Sequence, residues 1–197
     1  NVIAGSIPVF VDGGDPIGTT AGDEIVILAG GDPVAYEAGP ETDEGGFIVG
    51  THERISYDHV EEITIDNPAC VLILGTNGDD DITMIGRNDP ANYPGTDGIG
   101  DFTITVNDGP EILFLDVQAS TGDSVYIDGL SGDDHIVIRS PEPPTANALA
   151  CFAGPKNTHG LGNITDIAGD RTVTVTLDLT PAGGYNATNN LRTVTLS

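Results

Sequence analysis

Carboxylates set between glycines are the residues of this chain whose type and spacing could do chemistry. Asp128, Asp133 and Asp134 lie in Asp128-Gly129-Leu130-Ser131-Gly132-Asp133-Asp134. Gly129 and Gly132 let the backbone take positive φ, which would turn these side chains and nearby carbonyls toward one small volume. Oxygen ligands crowded in that way suit a hard cation, and Ca²⁺ is the expected ion. A second set, Asp79, Asp80 and Asp81, follows Gly75-Thr76-Asn77-Gly78, and a longer version places Asp12, Asp15 and Asp23 in Asp12-Gly13-Gly14-Asp15 and Gly22-Asp23-Glu24.

Catalytic chemistry has less to work with. There is no Gly-x-Ser-x-Gly and no His-Glu-x-x-His, and neither Cys70 nor Cys151 has a catalytic context. His52 and His59 stand near carboxylates but lack a second histidine at a metal-binding spacing, so they read as surface or loop residues. Paired carboxylates are compatible with a glycosidase by residue type alone. A polysaccharide lyase is the sharper enzyme rival, because it would join acidic calcium sites to a basic catalytic residue. The basic residues are Arg54, Arg87, Arg139, Lys156, Arg171 and Arg192, and only Arg139 adjoins a strong acidic copy. The reading is therefore a protein that is not an enzyme. A glycan-binding module would need a platform from Tyr36, Tyr57, Tyr93, Tyr126 or Tyr185.

Short β-branched and aromatic runs flank each acidic turn and would position it. Val125-Tyr126-Ile127 and Ile136-Val137-Ile138 bracket the first, the apolar run 70–74 and Ile82-Thr83-Met84 the second, and Val9-Phe10-Val11 and Ile25-Val26-Ile27 the third. Weaker copies of the second half begin at Gly100-Asp101 and Gly169-Asp170. Further strands are expected at 54–57, 63–65, 102–106, 112–115, 172–177 and 191–196. No window shows helical apolar spacing. Residues 35–50 are acidic and glycine-rich, anchored only by Tyr36 and Phe47-Ile48-Val49, and read as an excursion from the core. Residues 87–100 read as a loop whose tip is a candidate contact surface.

The Gly-Asp pairs at Gly78, Gly100 and Gly122 are 22 residues apart (100 − 78 and 122 − 100), close to one coil of a parallel β-helix. Stacked coils would align the turns as an acidic ladder along one edge. The expected fold is a single all-β domain over 1–197, parallel β-helix or β-solenoid-like with long loops. A β-sandwich is the alternative, because Asn107-Asp108-Gly109-Pro110 reads as an antiparallel hairpin turn.

With 31 acidic and 6 basic residues the formal net charge is −25, which argues against nucleic acid and against membrane insertion. Two carboxylates about 5 Å apart at an effective dielectric of about 20 repel by roughly 3 kcal/mol, so the acidic turns need neutralising. Bound Ca²⁺ would do this; a solvated surface adapted to high salt is the alternative and fits the single lysine. Cys70 and Cys151, 81 positions apart (151 − 70), suggest one disulfide in an extracellular chain, with two free thiols as the alternative. No signal peptide, transmembrane run or lipidation motif is seen, so Asn1 reads as a processed end or a cut within a longer polypeptide. Asn163-Ile164-Thr165 and Asn186-Ala187-Thr188 match glycosylation sequons at Asn163 and Asn186.

Gly129-Leu130-Ser131-Gly132-Asp133-Asp134-His135-Ile136-Val137 and Gly75-Thr76-Asn77-Gly78-Asp79-Asp80-Asp81-Ile82-Thr83 resemble the nonapeptide of RTX-type calcium-binding repeats, with Leu130 and Thr76 replacing the second glycine. The wording of VDGGDP, GDEIVIL, GDDDITMIG and DGLSGDDHIVI is similar to the repeat units of very large secreted surface proteins of the planctomycete type. These resemblances imply an extracellular or cell-surface role, structural or adhesive. Strand-like ends at 7–11 and 191–196 extend the expectation to a calcium-stabilised subunit of a filament, sheath or surface layer, joined head to tail with copies of itself. The alternative is a calcium-dependent module that binds extracellular glycans.

Overall fold

A computed structural model describes residues 7–14, 22–87, 89–97, 100–117, 125–130, 134–142, 173–178 and 191–196. The strands are β1 (Val9–Asp12), β2 (Glu24–Leu28), β3 (Val34–Ala38), β4 (Gly45–Val49), β5 (Ile55–Asp58), β6 (Glu62–Asp66), β7 (Val71–Leu74), β8 (Asp81–Arg87), β9 (Phe102–Val106), β10 (Ile112–Leu115), β11 (Val125–Asp128), β12 (His135–Glu142), β13 (Val173–Asp178) and β14 (Leu191–Leu196). The described residues contain no helix. The protein is all-β, as its short β-branched runs require.

The strands form two mixed sheets. One has the order β1-β5-β4-β3-β7-β11, the other β14-β13-β12-β8-β9-β10-β6-β2. Parallel neighbours include β1 with β5, β2 with β6, β6 with β10, β3 with β7, β7 with β11 and β8 with β12. Hairpins interrupt them: β3 pairs antiparallel with β4, and β9 with both β8 and β10. The turn between β9 and β10 is the expected one, with positive φ at Asn107 and Asp108 and a bond from Gly109 N to Val106 O of 2.9 Å. The final strand β14 pairs within the domain, antiparallel to β13.

Alternation sets the core. In β6, Ile63 and Ile65 are buried while Glu62 and Thr64 face outward, and the same period of two runs through β2 and β7. Inward side chains of both sheets join one cluster that includes Ile27, Phe47, Ile65, Ile73, Phe102, Phe114 and Ile138.

Residues 35–50 are not an excursion. They supply β3 and β4, and Phe47 is fully buried between Tyr36 and Tyr57, with ring centroids 5.3 and 5.8 Å away. Glycines disguised this strand. A Cβ on Gly45 would come 2.6 Å from the Tyr57 hydroxyl, and one on Gly46 would come 2.6 Å from the Arg54 guanidinium. The bare backbone of β4 is what lets these larger side chains lie across it.

Cys70, half-buried just before β7, is a free cysteine among the described residues. Cys70 lies beside strand backbone, its carbonyl accepting a bond from Val34 N. Cys151 itself, like Asn163, Asn186 and Tyr185, lies outside the described residues.

Candidate functional site

The pairings place one set of strand ends together. β1, β3, β5, β7, β9 and β11 finish at the same end of the two sheets where β2, β4, β6, β8, β10 and β12 begin. The turns at this end carry Asp12, Asp23, Asp43, Asp58, Asp79, Asp80, Asp81, Asp128 and Asp134. Asp15 and Asp133 lie outside the described residues.

Two chemically different kinds of aspartate share this end. Asp80 and Asp134 stand one residue before β8 and β12, strands paired in parallel with Asp81 opposite His135. Both side chains are buried. The Asp80 carboxylate accepts from Thr76 N (2.8 Å), Thr76 Oγ1 (2.9 Å) and Asn107 Nδ2 (2.5 Å). Asp134 Oδ1 in turn accepts from Asp80 N at 3.1 Å. A Cβ on Gly75 would lie 2.5 Å from Asp80 Oδ2, and one on Gly129 would lie 2.0 Å from Asp134 Oδ2. Glycine is thus needed five residues before each of these aspartates because the turn backbone rests on the carboxylate. Asp128 is also buried, and its Oδ1 accepts from Leu130 N at 3.0 Å. These groups act as clamps on backbone and side-chain donors.

Asp12 belongs to the second kind. It pairs in register with Asp58 across β1 and β5, and His59 Nδ1 lies 3.4 Å from Oδ1 of each. His59 Nε2 is 3.8 Å from Asp43 Oδ2 on the turn between β3 and β4. One ligand atom from each of Asp12, Asp58 and His59 could meet on a single ion. Two carboxylates with an imidazole suit a cation of borderline hardness at least as well as Ca²⁺. Asp23 is not in this group, and its backbone N–H donates to Glu61 Oε2 at 2.9 Å. Asp79 and Asp81 are exposed, with His135 Nδ1 3.1 Å from Asp81 Oδ1. Among the described residues, neither group of three compact enough to share an ion includes Asp79, Asp80, Asp81, Asp128 or Asp134.

The other such group lies at the opposite end of the sheets: Asp97, Asp101 and Asp116. Asp101 is 0% exposed and repeats the clamp of Asp80, its Oδ2 accepting from Asp97 N, four residues back, at 2.6 Å, and its Oδ1 from Asp116 N at 2.9 Å. Burial, then the charges of Asp97 and Asp66, push the Asp116 carboxyl above its ordinary range. The sequence reading passed over Asp58, Asp97, Asp101 and Asp116 as site residues, although Gly100-Asp101 was visible as a weak copy of the repeat.

Of the tyrosines, Tyr36 and Tyr57 are core residues whose hydroxyls lie 3.3 Å apart, and burial pushes both phenols up. Neither can serve as a glycan platform. Tyr126 is half-buried in β11. Tyr93 is half-buried beside a groove of about 570 Å³ on the outer face of the larger sheet. The Arg87 guanidinium lies 4.2 Å from the Tyr93 ring centre. Arg87 is also ion-paired with Glu111, to which the Tyr93 hydroxyl donates at 3.2 Å. Comparisons with protein-family models, with curated proteins and with solved structures give no match.

Proposed function

We propose that this chain is a structural subunit of an extracellular filament, sheath or surface layer, with copies joined head to tail and the acidic end stabilised by Ca²⁺. The observation that carries this reading is the state of the sheet edges. β1 and β2 are edge strands of the two sheets, and among the described residues the large exposed apolar side chains are Ile7 (75%), Phe10 (66%) and Leu28 (53%), which sit on or beside them. Unpaired strand edges bearing apolar side chains are templates for another chain. At the far side the sheets end on β11 and β14. An edge that joins a different edge of its neighbour does not close on itself, so it propagates as a fibre.

In this reading the two mixed sheets wind as a β-solenoid-like coil from which hairpins project. Parallel pairing of β2 with β6 and of β6 with β10, and of β3 with β7 and of β7 with β11, supports coiling, while the β3–β4 and β9–β10 hairpins support the sandwich alternative. At the acidic end the groups available to a cation are Asp12, Asp58 and His59, with the exposed Asp79 and Asp81. Asp80 already accepts three hydrogen bonds, and a cation there would have to displace those donors. The bound ion would supply the positive charge that the crowded turns lack.

A calcium-dependent glycan-binding module is the second reading, and Tyr93 and Tyr126 are the described tyrosines outside the core that it would use. Light scattering and electron microscopy at high protein concentration separate the two. Filaments that form and bundle with Ca²⁺ support the subunit; a chain that stays monomeric with Ca²⁺ contradicts it.

A further inference from the structure

The outer face of the larger sheet carries a row of glutamates that the Asp12, Asp58 and His59 group does not include. Glu24 pairs in register with Glu62, and Glu111 stands one residue before Ile112, which pairs with Ile63. The three glutamates are therefore level across the parallel strands β2, β6 and β10, spaced by about 4.8 Å per strand. All three are exposed. Two residues further along each strand, on the same face, Val26, Thr64 and Leu113 form a second row that is mostly apolar. The glutamate row and this second row line the groove of about 570 Å³, and Tyr93 and Pro94 form its opposite wall.

That wall is held in place. Ala91 N and Asn92 Nδ2 donate to the Asp89 carboxylate, and Tyr93 N donates to Asp89 O at 2.8 Å. Like charges directly opposite each other on neighbouring strands are unfavourable. Arg87 answers Glu111, but no ion pair is formed by Glu24 or Glu62 among the described residues. A guest for this groove must bring positive charge to one row and methylene groups to the next, which excludes neutral sugars and anions and favours an amine on an aliphatic stem.

We infer that the groove between β2, β6, β10 and Tyr93 binds an aliphatic polyamine, its ammonium groups on Glu24 and Glu62 and its methylene chain along Val26 and Leu113. The glutamate row adjoins the aspartate turns, with Glu24 next to Asp23, but it shares no residue with the Asp12, Asp58 and His59 group, so the two readings can fail separately.

The test is titration calorimetry of the chain with spermidine at low salt, with and without Ca²⁺, together with amide chemical-shift mapping. The expected result is one saturable site whose shifts centre on Val26, Thr64, Tyr93 and Leu113. Glu24→Gln with Glu62→Gln should weaken binding by about tenfold or more, while the charge-matched pair Asp32→Asn with Glu53→Gln, at the far end of the strands, should change it by less than roughly twofold. Hexaamminecobalt(III), which carries comparable charge and no methylenes, should bind about tenfold more weakly than spermidine. Equal weakening by both variant pairs, or equal binding of the cobalt complex, would show a diffuse counter-ion atmosphere and overturn the site. Saturable binding of a neutral oligosaccharide that survives the glutamine substitutions would overturn it in favour of a glycan groove. Both glutamine changes remove repelling exposed charges, so the variant keeps its fold.

Discussion

Asp80 and Asp12 lie at the same end of the same two sheets, yet they do opposite things. Asp80 is buried and takes three hydrogen bonds from Thr76 and Asn107, while Asp12 is exposed and faces a second carboxylate and an imidazole. The difference is the supply of donors. Where a turn folds back so that an N–H four residues earlier points at the carboxylate, the charge is satisfied internally and the side chain can be buried. Where the strand ends beside another aspartate, as at Asp12, which accepts from Gly14 N at 3.0 Å, the charge stays at the surface. Asp101, at the far end of the sheets, shows that the clamp belongs to a local sequence pattern and not to the acidic end as such.

Removing a clamp should therefore cost far more than removing a surface carboxylate. Asp101→Ala would remove a fully buried side chain and leave the part-buried N–H groups of Asp97 and Asp116 without their acceptor, and urea unfolding should show a loss of about 3 kcal/mol. Asp80→Ala should lose about 2 to 3 kcal/mol by the same measurement, and a loss below about 0.5 kcal/mol would break the distinction. Next comes Gly75→Ala, whose new methyl would press on Asp80 Oδ2 and Gly129 O, and a cost of about 1 to 3 kcal/mol in thermal unfolding is expected.

The exposed class should respond with the other sign. Without divalent cations, Asp12→Asn should shift stability by no more than about 0.5 kcal/mol, and toward greater stability because a repulsion is relieved.

The smallest effect concerns pH. The Asp116 carboxyl is raised in the folded chain, chiefly by burial. The folded state therefore holds this proton more tightly than the unfolded one, and that contribution is fully present below the unfolded pKa and lost as pH rises through the folded pKa. Asp116→Asn should remove this part of the decline, leaving stability slightly higher above that window, and unfolding curves taken at acid and neutral pH check it.

Much of the strand set was legible, because runs such as Ile25-Val26-Ile27 and Ile63-Thr64-Ile65 alternate buried and outward residues with a period of two. The stretch 34–49 was not, since Gly45 and Gly46 carry no side chain to signal a strand and are needed for packing against Tyr57 and Arg54. The repeated glycine and aspartate wording was also visible, but not which partners each aspartate meets in the folded chain. Composition shows that carboxylates and glycines are close in sequence; it does not show whether amide donors or a second carboxylate will face them. That depends on pairings across 54 residues, as between Asp80 and Asp134, and across 46 residues, as between Asp12 and Asp58 (58 − 12).

Thermal unfolding of the wild-type chain, of Asp12→Asn with Asp58→Asn, and of Asp80→Ala, each with Ca²⁺ and with chelator, tests the account most directly. With Ca²⁺ at about a hundredfold over Kd the wild type should gain roughly 2.7 kcal/mol per site. The double asparagine variant should lose most of that gain, and Asp80→Ala should be weakened in both conditions while keeping it. A wild-type transition that is the same with and without Ca²⁺, or a gain lost in Asp80→Ala and kept in the double variant, would contradict it.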